Sequence, residues 1–251
     1  MYNPKIKYAM KKIKILCFAT LAFGIMGLSG CNKDENKDSY GLAKVTTFPT
    51  LELTQGEEVW LAKGGSFQDP GYVVEHATGN VVVEGSVNMN TAGMYSLNYT
   101  ATNAEGYSVT KTRKVFVADP TGQTGLEGTY TSNIHRVPDN SATAPGNRGP
   151  FDLTLTAVSG MDGYYYIIDL LGGWYVIGGG ASYAAYGYKG YIRIGTDGAM
   201  TILWSGTTPW ADEGVLAPGV PATYDFGTNT LTFTSRMSTA AYNFEVTLVK
   251  Q

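Results

Sequence analysis

From residue 93 onward the chain keeps returning to one pattern, apolar and polar side chains in alternation. In "GMYSLNYTA" Tyr95, Leu97 and Tyr99 alternate with Ser96, Asn98 and Thr100. In "PFDLTLTAV" Phe151, Leu153, Leu155 and Ala157 alternate with Asp152, Thr154 and Thr156. "TLTFTSR" and "NFEVTLV" repeat the pattern through Leu231/Phe233 and Phe244/Val246/Leu248. A period of two gives each strand one dry and one wet face, the habit of antiparallel sandwiches and barrels. Beyond residue 30 no convincing run has apolar positions at i, i+3, i+4 and i+7, so the pattern predicts an all-β chain. Turns are predicted at Asp69-Pro70-Gly71, Asn103–Gly106, Asp197-Gly198 and Gly227–Asn229, and the longest loops at 137–149 and 206–221.

Two blocks of strands emerge, 44–119 and 128–251, the second with eight or nine strand-like runs. That spacing fits a barrel or a sandwich and does not decide between them. Between the blocks, 120–127 contains Pro120, Gly122 and Gly125 and no apolar period, which is linker chemistry. Limited proteolysis is therefore expected to cut within 119–128 and leave two folded all-β pieces.

The stretch "YYYIIDLLGGWYVIGGGASYAAYGYKGY" at 164–191 breaks the alternation. Tyr164, Tyr166 and Ile168 would share one strand face and Tyr165, Ile167 and Asp169 the other. Aromatics on both faces predict a strand covered on both sides, where the tyrosines are structural. Trp174, Tyr183, Tyr186 and Tyr188 instead sit among glycine and alanine, and Trp210 lies in a Gly/Pro-rich loop beside Asp212 and Glu213. Small neighbours leave a ring face uncovered, and rings with nearby acceptors suit a sugar: C–H groups over the ring, hydroxyls to carboxylates. The competing reading is core packing plus a structured loop. Asp169, in an apolar stretch, reads foremost as a side chain satisfied by backbone N–H groups near Gly172-Gly173, with ligand contact as the alternative. The candidate ligand-binding set is Trp174, Tyr183, Tyr186, Tyr188, Trp210, Asp212, Glu213 and Asp169.

Other chemistries find less support. "GGG" at 178–180 lacks the Lys-Ser/Thr of a phosphate loop and reads as a bulge or bend. The two histidines, His76 and His135, fall in different blocks, and "SNIHRVP" shows no nucleophile elbow. No calcium-loop spacing is present, and no metal or other cofactor is expected. No catalytic residue is assigned; a carboxylate-based glycoside hydrolase ranks last.

The N-terminus changes the picture of where the chain works. Lys5, Lys7, Lys11, Lys12 and Lys14 precede the apolar run "ILCFATLAFGIMGLSG", interrupted by Gly24 and Gly27 and short for a span of roughly 20 residues. The run ends in "LSGC", which resembles a bacterial lipoprotein signal, and the resemblance implies acylation of Cys31 after removal of 1–30. Residues 31–43 are polar and charged, a flexible tether. Asn32 is not the aspartate expected of inner-membrane retention in enteric bacteria, and the acidic stretch beside Cys31 resembles the surface-export signal of Bacteroidetes-type lipoproteins. The full chain carries −3; removing a signal with five lysines and no carboxylates leaves −8. Such an acidic chain is a poor nucleic-acid binder. Its two cysteines are Cys17, in the signal, and Cys31, so the mature chain has no disulfide or thiol chemistry of its own.

The first block also resembles a family. "DPG" at 69–71, "AGMYSLNYTATNAEG" at 92–106 and "TRKVFVAD" at 112–119 resemble the bacterial immunoglobulin-like modules of surface proteins, which implies an Ig-like β-sandwich serving as a spacer. Together with "IIDLLGGWYVIGGG", the chain resembles two-domain Bacteroidetes lipoproteins of unknown function that are thought to sit among genes for glycan capture. The expectation is an Ig-like sandwich followed by an antiparallel barrel or sandwich, in a non-catalytic, lipid-anchored outer-membrane protein facing the cell exterior. Its second domain is expected to bind an extracellular carbohydrate; the alternative is docking onto another outer-membrane protein.

Overall fold

The computed structural model describes residues 46–138, 146–239 and 242–251. The signal segment, Cys31 and the 31–43 tether lie outside them, as does part of the 137–149 loop. The described chain is all-β apart from one short 3-10 segment, Ala181–Tyr186.

The N-terminal sandwich has strands β1 (Thr50–Leu53), β2 (Glu58–Ala62), β3 (Tyr72–Glu75), β4 (Val82–Glu84), β5 (Gly93–Thr102) and β6 (Ser108–Ala118). β1 pairs with β3, and the larger sheet runs β2-β6-β5-β4. The alternation in β5 puts Leu97, Tyr99 and Ala101 into the core with Leu51 and Val115. The turn at 103–106 forms as the sequence predicts: Asn103 Oδ1 accepts the amides of Glu105 (3.1 Å) and Tyr107 (2.9 Å).

The Asp69-Pro70-Gly71 turn has a second role that local sequence does not disclose. Arg113 of β6 is fully buried, and its guanidinium donates to Asp69, to Thr54 O (2.7 Å) and to Gly71 O (2.9 Å). Tyr99 Oη donates to the other Asp69 oxygen at 2.7 Å. Burial, with the Asp69 carboxylate beside it, pushes the Tyr99 phenol up to about 12. The buried cation is thus satisfied by one carboxylate and a set of turn carbonyls, which fixes the turn against β6.

The second domain is a nearly closed antiparallel barrel. Its strands are β7 (Gly128–Pro138), β8 (Gly146–Ala157), β9 (Tyr164–Ile167), β10 (Gly190–Ile194), β11 (Met200–Ser205), β12 (Gly214–Leu216), β13 (Thr223–Asp225), β14 (Thr230–Met237) and β15 (Tyr242–Lys250). The order is β11-β10-β9-β8-β7-β15-β14-β12, with β13 also on β14. At one end an Ala199↔Thr223 bridge brings β13 back to the start of β11. Toward the other end β11 and β12 share no ladder, and a cleft of about 500 Å³ separates them.

The lumen is filled. Alternating residues such as Ile134, Leu155, Ile167, Ile192, Phe233 and Val246 point inward. The β9–β10 connection turns into the barrel and adds Leu170, Leu171 and Trp174 to the same core. Two inward polar positions explain how it is held. Buried Ser132 donates to Gly172 O (2.7 Å) and buried Ser235 to Leu170 O (2.6 Å). Gly172 is required there: its φ is +72°, and a Cβ would stand 2.7 Å from Ile134 Cγ1.

Strand β9 is covered on both faces, as the double-sided aromatic pattern predicts. Tyr165 and Ile167 join the barrel core. Tyr164 faces Trp60 of the sandwich at 5.8 Å, and Tyr166 meets Tyr191 at 5.5 Å. Around them Trp60 stacks on Phe116, Tyr191 packs edge-on to both, and Phe116 reaches Trp204. Tyr191 Oη donates to Glu58 Oε2 at 2.8 Å, and the Lys114 ammonium lies 4.3 Å from the Trp204 ring centre. The sandwich and barrel therefore meet through an aromatic layer.

The stretch between them is tied down as well. Gln123 N donates to Ile194 O (2.8 Å), Tyr165 Oη to Gln123 O (2.6 Å), and Gly122 bridges Gly195. A hydrogen-bonded segment resists a protease until it opens. Residues 119–128 are accordingly expected to survive limited proteolysis up to a single unfolding transition. Early cleavage there that leaves two stable pieces would mean the aromatic layer does not hold.

Candidate functional site

Three accessible aromatics, Tyr183, Tyr186 and Trp210, meet at one end of the barrel, where β7 ends and β8 begins and where the long 168–189 and 206–213 connections emerge, while the exposed Phe226 lies apart in the β13–β14 turn. Trp210 and Tyr183 are each 40% exposed and Tyr186 is half-buried. The ring centres of Tyr186 and Trp210 are 4.2 Å apart, Tyr183 and Tyr186 5.6 Å, and Tyr183 and Trp210 6.4 Å. Beneath them half-buried Tyr175 packs against Trp210 (5.0 Å) and Tyr183 (5.8 Å). Gly179 permits the stacking of this layer, since a Cβ there would stand 2.8 Å from Tyr183 Cβ. Gly178 and Gly179 are thus close-packing positions of the inserted connection and Gly180, at φ +74°, makes a bend, so the triple glycine is a bend and not a strand bulge.

The other candidate residues are placed differently. Trp174 is only 3% exposed and packs on Phe244 in the core, and Tyr188 is fully buried. Asp212 is sealed beneath the rings, accepting from Thr208 Oγ1 (2.6 Å), Tyr188 Oη (2.8 Å) and Thr239 Oγ1 (3.1 Å). Burial, followed by this carboxylate contact, drives the Tyr188 phenol well above its ordinary value, so it stays a neutral donor. Asp169 is also fully buried; its Oδ1 accepts the amides of Leu171 (3.0 Å) and Tyr188 (3.2 Å), the backbone contacts that the sequence suggests, while its buried Oδ2 has no hydrogen-bond partner. Desolvation raises its carboxyl to about 6 despite these amides. Glu213 is exposed but lines the β11–β12 cleft with Met94 and Trp204. Of the eight residues, Tyr183, Tyr186 and Trp210 come together as an accessible surface.

Three residues of this end escaped the sequence reading. Tyr175 follows Trp174 in a stretch without strand periodicity. Arg136 and Arg148 face inward near the rim, their guanidinium carbons 4.9 and 4.5 Å from the centre of the Trp174 ring. The inward parity of Arg136 was legible in hindsight, through Tyr130, Ser132 and Ile134 of the same strand. Chemically, the end offers ring faces, phenol hydroxyls and two cations. Hydrolysis of a glycosidic bond needs two carboxylates flanking it, and Asp169 and Asp212 are both enclosed.

A family model described as a C-terminal domain matches residues 119–250, more than half of the chain. The chain belongs to this family. In this member the matched segment is the barrel, and the family model of the bacterial surface protein Ig-like domain matches 51–117, the sandwich. The architecture is therefore two-domain, and neither model describes a catalytic domain. Solved structures similar to this family member include the crystal structure of the lipoprotein BT2262 from Bacteroides thetaiotaomicron. It is 30% identical, with 81% of this chain and 100% of that chain covered and a TM-score of 0.43. No curated protein matches the chain.

Proposed function

We propose that this protein is a non-catalytic, surface-exposed outer-membrane lipoprotein that binds an extracellular carbohydrate at the aromatic end of its barrel. The observation that carries the reading is the cluster of Tyr183, Tyr186 and Trp210, three neighbouring rings left accessible above Tyr175 at one end of the barrel. Rings of this kind stack on sugar C–H faces, and their phenols supply hydrogen bonds to hydroxyls. Trp210→Ala should weaken polysaccharide binding about ten-fold or more, because one stacked ring is worth on the order of 1–3 kcal/mol by analogy with base stacking.

Anchoring rests on "LSGC" at 28–31 and on the lipoprotein relative. Acyl chains on Cys31 would hold the protein by burying methylenes at about 0.8 kcal/mol each. Cys31→Ala is expected to release the protein from membrane fractions or block its processing; a normally cleaved variant still in the membrane would contradict the anchor. The docking alternative draws on one feature of the sandwich, the edge strand β4, whose Val82 and Val83 are 57% and 45% exposed. If docking is the role, substitutions on β4 rather than at Trp210 will abolish surface assembly.

A further inference from the structure

We propose that the glycan taken at the barrel end is acidic, its carboxylate or sulfate group held by Arg136 and Arg148 while a neighbouring sugar ring lies on Tyr183, Tyr186 and Trp210. This inference rests on the reading of that end as a carbohydrate site.

The sheet register creates the cationic pair. Ser132, Ile134 and Arg136 share the inward face of β7, and Arg148 of β8 stands opposite Ile134. An inward-facing charge at a barrel rim is costly unless it is paired or meets a ligand. Among the described residues neither arginine has a carboxylate partner; the ion pairs there are Lys111–Glu57, Arg113–Asp69 and Lys114–Glu58, all in the sandwich. Both guanidiniums instead flank Trp174, and Arg148 also donates to the Trp174 carbonyl. Arg136 extends over Tyr242 at 5.2 Å, and its buried Nε has no hydrogen-bond partner. Stacking fixes the plane of a guanidinium while leaving most of its N–H donors unused, which suits it to a planar carboxylate or a sulfate.

The pair also adjoins the rings. Tyr175 follows Trp174 and packs on both Trp210 and Tyr183. Burial raises its phenol pKa, while the charges of Arg136 and Arg148 pull it down, so both cations are within electrostatic reach of the aromatic floor. Of the carboxylates at this end, Asp169 and Asp212 are enclosed, Glu213 lines the β11–β12 cleft, and Glu245 shares a cleft with Arg148 without forming an ion pair with it. A chain that is acidic as a whole thus places two arginines, without an ion-pair partner among the described residues, beside stacking surfaces.

The test is titration of the protein with a carboxylated polygalacturonate, a sulfated galactan and a neutral galactan, at low and at physiological salt. The expected result is binding to a carboxylated or sulfated polymer that weakens as salt rises. Arg136→Gln and Arg148→Gln should each lower that affinity about ten-fold, the loss of one charge-assisted contact of about 1.4 kcal/mol. The two acidic polymers distinguish carboxylate from sulfate. Because Arg148 also braces Trp174, melting is measured in parallel. Where Arg148→Gln unfolds, Arg148→Lys and the salt dependence of the unsubstituted protein decide. Salt-independent binding of the neutral galactan, unchanged by the arginine substitutions, would overturn this inference and leave the carbohydrate reading standing. Binding to none of the three polymers, or to any wider glycan panel, would overturn both.

Discussion

Replacing Arg113 with methionine is expected to destabilise the protein by about 1–3 kcal/mol, the loss typical when acceptors lose a charged, buried hydrogen-bond donor. The reason is the number of groups that depend on it. Asp69, Thr54 O and Gly71 O all accept from this one guanidinium, and Tyr99 completes the network through Asp69. A methionine of similar length fills the volume but supplies no donor, so Thr54 O loses its guanidinium contact and Asp69 and Gly71 O keep only their weaker neutral donors. Lys111→Met is the control, since Lys111 meets Glu57 at 3.4 Å on the surface, where a pair contributes no more than about 1 kcal/mol. Urea midpoints at constant m-value separate the two. Equal small shifts would show that the Asp69 turn does not depend on Arg113.

The second large effect is expected at Trp174. Truncation to alanine should cost about 3–5 kcal/mol, as for other large-to-small changes in a packed core. The ring packs on Phe244 and is flanked by two guanidiniums, so its removal opens a cavity and strands two cations. Trp210→Ala, by contrast, should move stability by less than about 1 kcal/mol, since that ring is 40% exposed. The same chemical change at two tryptophans thus separates a core role from a surface role. Comparable losses at both would mean that Trp210 is a structural cap on the inserted connection.

These contrasts show what local sequence carried. Alternation located the long strands β5, β8, β14 and β15, and two-sided aromaticity marked β9 as covered from within and without. Asp169 was recognisable because an aspartate between Ile168 and Leu170 has few ways to be satisfied other than backbone amides. Trp174 and Tyr188 were harder. Glycine and alanine neighbours suggest bare ring faces, but their actual neighbours come from distant strands after the connection turns inward. Asp212 looked available beside Trp210, yet three hydroxyls, including one from Tyr188, close over it. Glu213, one residue on, goes to the β11–β12 cleft instead. The Gly/Pro-rich 120–127 stretch looked free because its partners, Tyr165 and Ile194, lie far along the chain. The Asp69 turn was legible as a turn, but its cation is 44 residues away. In each case local chemistry identified the conformational freedom and a long-range contact decided its use.

Carbohydrate capture by the exposed rings is the central claim, and one titration bears on it most directly. Unsubstituted protein and Trp210→Ala would be titrated with the same broad panel of soluble polysaccharides, with thermal melting recorded for both. The expected result is at least one polysaccharide bound by the unsubstituted protein, and a loss of about ten-fold or more in affinity on Trp210→Ala, with the melting temperature preserved. No polysaccharide bound by the unsubstituted protein, or equal affinity after the ring is removed, would contradict it.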